Sequence, residues 1–310
     1  MEILPSLLGY ISSRVKVLKQ NVSDLVTNPS DALEKTAANT AETIKDTIAD
    51  PMSFSGAGTL IGKGAKLFSF KEADRAARLQ GHIKDTDVIT RETGTWLGHP
   101  DKIPRQEISD ASARIDPNQL LVDMNAERYL STEPVRYSKD TAKLHEILQH
   151  PSLFANYPEL KDINVIYGHG VKNSAGYFDP RTNTILAAGR TPEEARSIMI
   201  HEIQHAVQQK EGWSPGASLE NIPYDSRTKQ QYEQKVMDLK RDKSIDWAAT
   251  DKLKELDYDM RVKLYKRTAG EADARAAQAR QYFTAEELRQ FPINQNFYDI
   301  PLKEMLIGKP

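Results

Sequence analysis

Near the start of the chain, apolar residues recur at alternating intervals of four and three: Leu4, Leu8, Ile11, Val15, Leu18, Val22 and Leu25. That spacing is the heptad seam of a helix that packs against another helix. A second amphipathic stretch follows "NPSD", with Leu33, Ala37, Ala41, Ile44 and Ile48 on one face, and "DP" at 50–51 ends it. The glycine-rich "SFSGAGTLIGKGAK" then reads as a linker. The pattern predicts a helical N-terminal extension over residues 1–65 that packs on the rest of the chain, oligomerises, docks on a larger assembly or lies on a membrane surface.

Over residues 66–160 the pattern predicts helix mixed with loop. "KEADRAARLQ" is helical, "RETGTWLGHPDKIPRQEISD" is broken by Gly and Pro, and "SKDTAKLHEILQHP" is a helix stopped before Pro151. The pattern then turns to strand. "INVIYG" (163–168) is β-rich, and "GYF" (176–178) and "NTILAA" (183–188) flank "DPRT", a hairpin turn. A helix follows whose ends are both encoded: Thr191 as N-cap, Pro192 in the first turn, Glu194 to complete a capping box, and Gly212 as the stop. Residues 225–283 are mostly helical and highly charged, with Leu253, Leu256, Met260 and Leu264 forming one apolar face. The Pro-interrupted tail, "FPINQNFYDIPLKEMLIGKP", is expected to wrap the surface. The expected class is α+β: a small twisted sheet with an edge hairpin packed on the 191–212 helix, and a mostly helical C-terminal part, together forming one domain over 66–310.

Composition sharpens this in three ways. The chain of 310 residues has no cysteine, so disulfides, thiol nucleophiles and thiolate metal sites are excluded, and any metal must be held by His, Asp or Glu. A formal net charge of −2 gives no reason to expect a nucleic-acid partner. No apolar run reaches the ~18–20 residues of a membrane span, and the N-terminus lacks the pattern of a secretion signal.

The chemistry sits in "SIMIHEIQHAVQQKEGW", residues 197–213. Helical residues four apart differ by about 40° and one turn of rise, so His201 and His205 point the same way and reach one metal ion. Glu202 lies one step around, placed to take a proton from water. This is the H-E-x-x-H zinc pattern, expected by chance roughly 0.01 times in such a chain, and it lies on a capped helix directly after a hairpin. In zinc proteases the outer strand of such a hairpin commonly aligns the substrate backbone.

Zinc needs a third protein ligand and an open fourth position. Glu211 stands where a longer version of the motif has a third histidine. However, Gln208 replaces the turn-forming glycine, and an unbroken helix would carry Glu211 about 9 Å along the axis from His205, facing away. Glu271, in "AGEADARAAQAR", would come from a second, downstream helix, with Gly270 letting two helices approach closely. Asp273 lies about 200° around from Glu271 and suits a residue that orients an imidazole instead. For stabilising an oxyanion, the candidates are Arg275, which shares the face of Glu271 and could equally form an i,i+4 ion pair with it, Tyr265, Tyr177, Tyr224, and His169 in a glycine-flanked loop. His145 and His150, five apart, diverge and read as structural; His82 and His99 carry no signal.

"HEIQHAVQQKEGW", followed some sixty residues later by "AGEADARAAQAR" and then "FYDIP", resembles a zincin-like, gluzincin-type metallopeptidase domain of tailed bacteriophages and mobile elements, often found inside large polyvalent proteins. The resemblance extends to "TGTWLGHPDKIPRQEISD", "LHEILQHPSLFANYPELKDINV" and "GYFDPRTNTILAA", covering roughly residues 66–303. It implies that His201, His205 and Glu271 hold one Zn2+ and that Glu202 is the catalytic acid–base. Three details depart from the family pattern. Asp273 stands where Glu is usual, Trp213 where Phe is frequent, and "DKIPRQEISD" lacks the usual glycine-aromatic run.

The expectation is a phage-encoded zinc peptidase acting on a protein or peptide, with the strand at 183–188 paired to substrate. Its setting would be the virion or the bacterial host cytoplasm. The alternative is a structural, ejected or connector protein of the virion, docked to other virion proteins through residues 1–65, in which the zincin-like fold is a binding module.

Overall fold

The computed structural model describes residues 58–306, apart from 84, 100, 124–134, 140–141, 171–174, 218–221, 223–225, 242–248, 292 and 294–297. The helices expected over residues 1–50 lie outside the described residues, and so does Tyr224.

In chain order, β1 (Gly58–Ile61) is followed by α1 (Phe70–Gln80), α2 (Thr86–Thr93), β2 (Trp96–Leu97), β3 (Pro104–Ser109), β4 (Arg114–Ile115), β5 (Leu120–Asp123) and β6 (Val135–Ser138). Short α3 (Leu144–Ile147), β7 (Leu148–Gln149) and α4 (Pro151–Asn156) lead to β8 (Asn164–His169), β9 (Ala175–Asp179) and β10 (Thr184–Gly189). The remainder is helical: α5 (Pro192–Glu211), α6 (Ser226–Arg241), α7 (Ala249–Arg267), α8 (Ala269–Ala279) and α9 (Ala285–Gln290). The fold is mixed α+β.

Part of the expected linker is a strand, so the boundary at residue 65 falls inside the fold. β1 pairs antiparallel with β3, from Gly58↔Ser109 to Ile61↔Gln106, and every one of its residues is buried. The carboxamide of Gln204 on α5 bonds both backbone groups of Leu60, accepting from its N–H at 2.8 Å and donating to its carbonyl at 3.3 Å. A side chain thus does for Leu60 what a neighbouring strand would do, and satisfies both of its buried backbone groups.

The stretch expected as helix and loop carries β2 to β7 as well. These strands are too short for a period of two to show in sequence. "SKDTAKLHEILQHP" is not one helix. Its helical part ends at Ile147, after which Leu148 and Gln149 pair with Ile115 and Arg114, and His150 caps α4 through its ring nitrogen. Burial of Leu144, Ile147 and Leu148 on both sides of that break outweighs local helix preference. His150 also meets Asp110 at 2.7 Å and His145 meets the Lys161 carbonyl at 2.8 Å, the structural roles expected of them.

The five-stranded sheet has the order β5-β6-β8-β10-β9. β10 runs parallel to β8 and antiparallel to β9. Alternation along β8 and β10 sends Val165, Tyr167, Ile185 and Ala187 to one face, where they are buried, while Ile166 and Leu186 face the other side. Helix α5 covers the buried face with Ala195, Met199, Ile203 and Val207, all fully enclosed. The hairpin, the helix and both helix ends therefore stand where the sequence pattern put them. Thr191 Oγ1 accepts from the Glu194 N–H at 3.1 Å, and Gly212 takes a left-handed φ of 66°. Only half of the expected capping box forms, because the Glu194 carboxylate is held by the Arg190 backbone N–H and guanidinium.

Helix α8 lies against α5 through small residues, with Ala272, Ala276 and Ala277 fully buried. The tail does more than wrap the surface, since Ile293, Tyr298 and Met305 are part of the core and Leu306 bridges to Thr268 at the head of α8. Of the apolar face expected in α7, Met260 and Leu264 are buried and Leu256 is half-buried. No helix among the described residues is long and apolar enough to cross a membrane.

Candidate metal centre

The middle of α5 presents His201 and His205 toward the first turn of α8, which presents Glu271. One ligand atom from each of the three residues lies within 4.8 Å of the others. His201 Nε2 is 3.4 Å from Glu271 Oε2 and His205 Nε2 is 3.3 Å from Glu271 Oε1. The imidazole rings stand at 84° with centroids 4.8 Å apart, so their Nε2 atoms converge without stacking. Among the described residues no other group of three His, Asp or Glu side chains forms such a cluster.

Glu271 is held from several sides. Its Oε1 accepts the Ala217 N–H at 2.8 Å. Its Oε2 is buried and has no hydrogen-bond partner among the described residues. An orphaned carboxylate oxygen beside one imidazole nitrogen, with the second imidazole against the other oxygen of the same carboxylate, suits a divalent cation, which would satisfy all three residues at once. Burial alone would raise this carboxyl. The positive charge available on His205 and His201 outweighs that and holds it well below the usual carboxylate range.

The segment after α5 closes over the pair. A Cβ at Gly216 would fall 2.7 Å from His205 Cε1 and 3.0 Å from Glu271 Oε1, so only glycine lets this strap pass. Gly270 serves the same strap rather than a helix–helix contact, because a Cβ there would collide with the carbonyls of Ser214 and Pro215.

Glu202 is buried between α5 and the edge of the sheet. A Cβ at Gly176 on β9 would meet its Oε1 at 2.6 Å. Burial pushes the carboxyl up to about 7, with the charge of His205 opposing the shift and that of Glu271 adding to it. A carboxylate poised near neutrality is the state a general base requires. The strand that can align a substrate differs from the expected one. β10, at 183–188, has β8 on one side and β9 on the other, so the open edge beside Glu202 belongs to β9.

The remaining candidates separate. Tyr265, on α7, sits beside Glu271, and burial together with that negative charge pushes its hydroxyl well above the ordinary phenol range. Asp273 turns away from both imidazoles: it accepts from the Tyr298 hydroxyl at 2.9 Å and faces Arg105 Nη2 at 3.2 Å. Arg275 does not pair with Glu271 but grips Asp299 with two bonds of 2.9 Å and reaches the Lys266 carbonyl, while its Nη1 is buried without a hydrogen-bond partner among the described residues. Tyr177 is exposed, and alternation along β9 turns it to the opposite face from Gly176 and Glu202. His169 ends β8 with its ring edge-on to Tyr167, at a centroid distance of 5.8 Å, and the metal-capable cluster forms without it. Glu211 is a structural carboxylate, bonded by the Tyr157 hydroxyl at 2.6 Å and the Gly64 N–H at 3.0 Å.

Sequence reasoning passed over Gln208, noting it only as the replacement for a glycine. Its Oε1 lies 2.8 Å from His205 Nδ1, and its Nε2 donates to the Gly270 carbonyl at 2.7 Å. The available signal was spacing, since Gln208 is three residues after His205 and so on the same helix face. No family model matches this sequence, and neither a curated protein nor a solved structure shows significant similarity to it.

Proposed function

We propose that this chain is a zinc-dependent peptidase of the zincin-like, gluzincin type, with His201, His205 and Glu271 holding one Zn2+. The observation that carries the reading is the convergence of three ligand-type atoms within 4.8 Å, one residue of which, Glu271, has a buried carboxylate oxygen with no hydrogen-bond partner among the described residues. Among the described residues three side chains rather than four converge, which would leave a coordination position open, the arrangement of a catalytic rather than a structural zinc. That favours a hydrolase over a purely structural virion module. When bound, the cation supplies Lewis acidity and brings the acidity of water near neutral pH.

The chain's own residues do the rest. Glu202 accepts a proton from the attacking water onto its carboxylate and returns it to the departing amine. The β9 edge lies next to Glu202 and takes an extended peptide by strand addition, bringing the scissile carbonyl between the general base and the ligand cluster. Tyr265, beside Glu271, keeps its proton throughout the neutral range and serves as a hydrogen-bond donor to developing negative charge. The substrate is a polypeptide, of the virion or of a bacterial host in the setting the resemblance implies.

The test is mass-spectrometric identification of new N-termini in a bacterial lysate incubated with the zinc-loaded protein or with Glu202→Gln. The native protein is expected to generate termini that the variant lacks, with a rate loss of about 10²–10⁴, while both bind one zinc. Identical termini from the two proteins would refute the reading.

A further inference from the structure

Resting on the metal-centre reading above, we infer that Gln208 is a positioning residue that sets the tautomer of His205 and ties it to the helix bearing Glu271. The inference follows from the hydrogen-bonding capacity of each group in turn. The Gly270 carbonyl can only accept, so the Gln208 atom 2.7 Å from it must be the amide nitrogen. The Gln208 atom 2.8 Å from His205 is then the carbonyl oxygen, again only an acceptor. His205 Nδ1 must therefore carry the proton, and the lone pair of the neutral ring is left on Nε2. That is the nitrogen that faces Glu271 at 3.3 Å. Flipping the amide would set two acceptors against each other at Gly270.

Gln208 is fully buried, so no water substitutes for either bond. Its two contacts are on different elements. His205 is on α5, whereas Gly270 immediately precedes Glu271 in the first turn of α8. One carboxamide thus fixes both the protonation pattern of one ligand and the offset between the two ligand-bearing helices. The strap acts on the same pair from the other side, with Ala217 N–H occupying Glu271 Oε1 and leaving Oε2 as the free ligand atom. Glu271 would then offer a cation its Oε2, with Oε1 already taken by the strap.

Two measurements test this, neither requiring catalysis. Long-range 1H–15N correlation spectra of the metal-free protein at about pH 8.5, where imidazoles are neutral, should show His205 protonated at Nδ1; protonation at Nε2 would overturn the inference. Zinc affinity is then measured by chelator competition for Gln208→Leu and Gln208→Glu. Leu removes the acceptor and should weaken binding about 10–100-fold while shifting the His205 proton partly to Nε2. Glu keeps an acceptor for His205 but sets its second oxygen against the Gly270 carbonyl, so it should keep the His205 proton on Nδ1 while recovering only part of the affinity. A Gln208→Leu protein that binds zinc as tightly as the native chain, with the tautomer unchanged, would refute it. If Gln208→Leu fails to fold, the His205 tautomers of the native chain and of Gln208→Glu still decide. A native chain that binds no zinc at all would sink the proposed function, whereas the tautomer reports on Gln208 independently.

Discussion

Helix α8 carries two buried carboxylates two residues apart, and the chain treats them in opposite ways. Asp273 meets a cation that is part of the polypeptide. Arg105 is fully buried, is gripped by Asp101 through bonds of 2.9 and 2.8 Å, and lies 4.3 Å over the ring of Trp213. The Tyr298 hydroxyl adds a donor on Oδ1. Among the described residues no arginine or lysine forms an ion pair with Glu271, and Arg275, which feels its charge, is bonded to Asp299 instead. The neighbours of Glu271 are two imidazoles, one phenol and one backbone N–H. Burial still raises the Asp273 carboxyl despite Arg105, so the fold answers that charge only in part, whereas Glu271 is held low by imidazoles, groups that also bind cations. A helix whose two faces lie about 200° apart at these positions lets one short element serve both purposes.

The sharpest way to break the comparison is to neutralise each carboxylate in turn. Glu271→Gln should abolish the stabilisation that zinc confers, about 4 kcal/mol at a thousandfold excess over Kd. Asp273→Asn should destabilise the protein by about 3 kcal/mol with or without zinc, since it strips a buried arginine of one counter-charge. Zinc stoichiometry should stay at one. Urea denaturation of both variants, with zinc and with chelator, reads out the crossed pattern. A zinc-dependent penalty at Asp273, or none at Glu271, would erase the distinction.

The same two residues show how far the sequence could be read. The α5 motif was legible because ligand geometry within one helix is set by the helical repeat alone, so spacing fixes which side chains share a face. Hairpin, cap and stop were legible for the same local reason. That Glu211 would not approach was legible from the helical repeat, which carries it about 9 Å along the axis and away from His205; that Glu271 would approach depended on how two helices pack, which nothing within either helix fixes. Arg105 as the partner of Asp273 gave no signal: the two are far apart in sequence and meet only through the β3 strand and the tail. β1 was hidden by its glycines, which read as a linker until Gln204 is seen bonding the Leu60 backbone. Tyr177 was misplaced because β alternation decides which face a residue takes, and sequence proximity to the motif does not.

Glu202 adds a third carboxylate that sharpens the contrast, being buried but neither paired with an arginine nor a ligand. In the metal-free protein its folded pKa of about 7 lies above the ordinary value of 4.5. The folded state therefore keeps this proton more tightly than the unfolded chain. That contribution is fully present below about pH 4.5 and is lost as pH rises through 7. Glutamine has no such dependence. Glu202→Gln should gain on the native protein by about 3 kcal/mol between pH 4.5 and pH 8, measured by urea midpoints in chelator. A constant difference across that range would show that burial does not tune this group.

The smallest effect belongs to Glu211, another buried carboxylate, held by neutral donors. Tyr157 Oη–H donates at 2.6 Å and the Gly64 N–H at 3.0 Å, so the group anchors the loop after β1 to the end of α5. Glu211→Gln keeps the shape and one acceptor oxygen but gives up the charge that strengthens both bonds. A loss of about 1–2 kcal/mol is expected, with zinc affinity unchanged, because the proposed cation site uses the turns of α5 that precede it together with α8. Were zinc affinity to fall together with stability, Glu211 and not Glu271 alone would be feeding the site. The separation of ligand from anchor along α5 would then have to be redrawn.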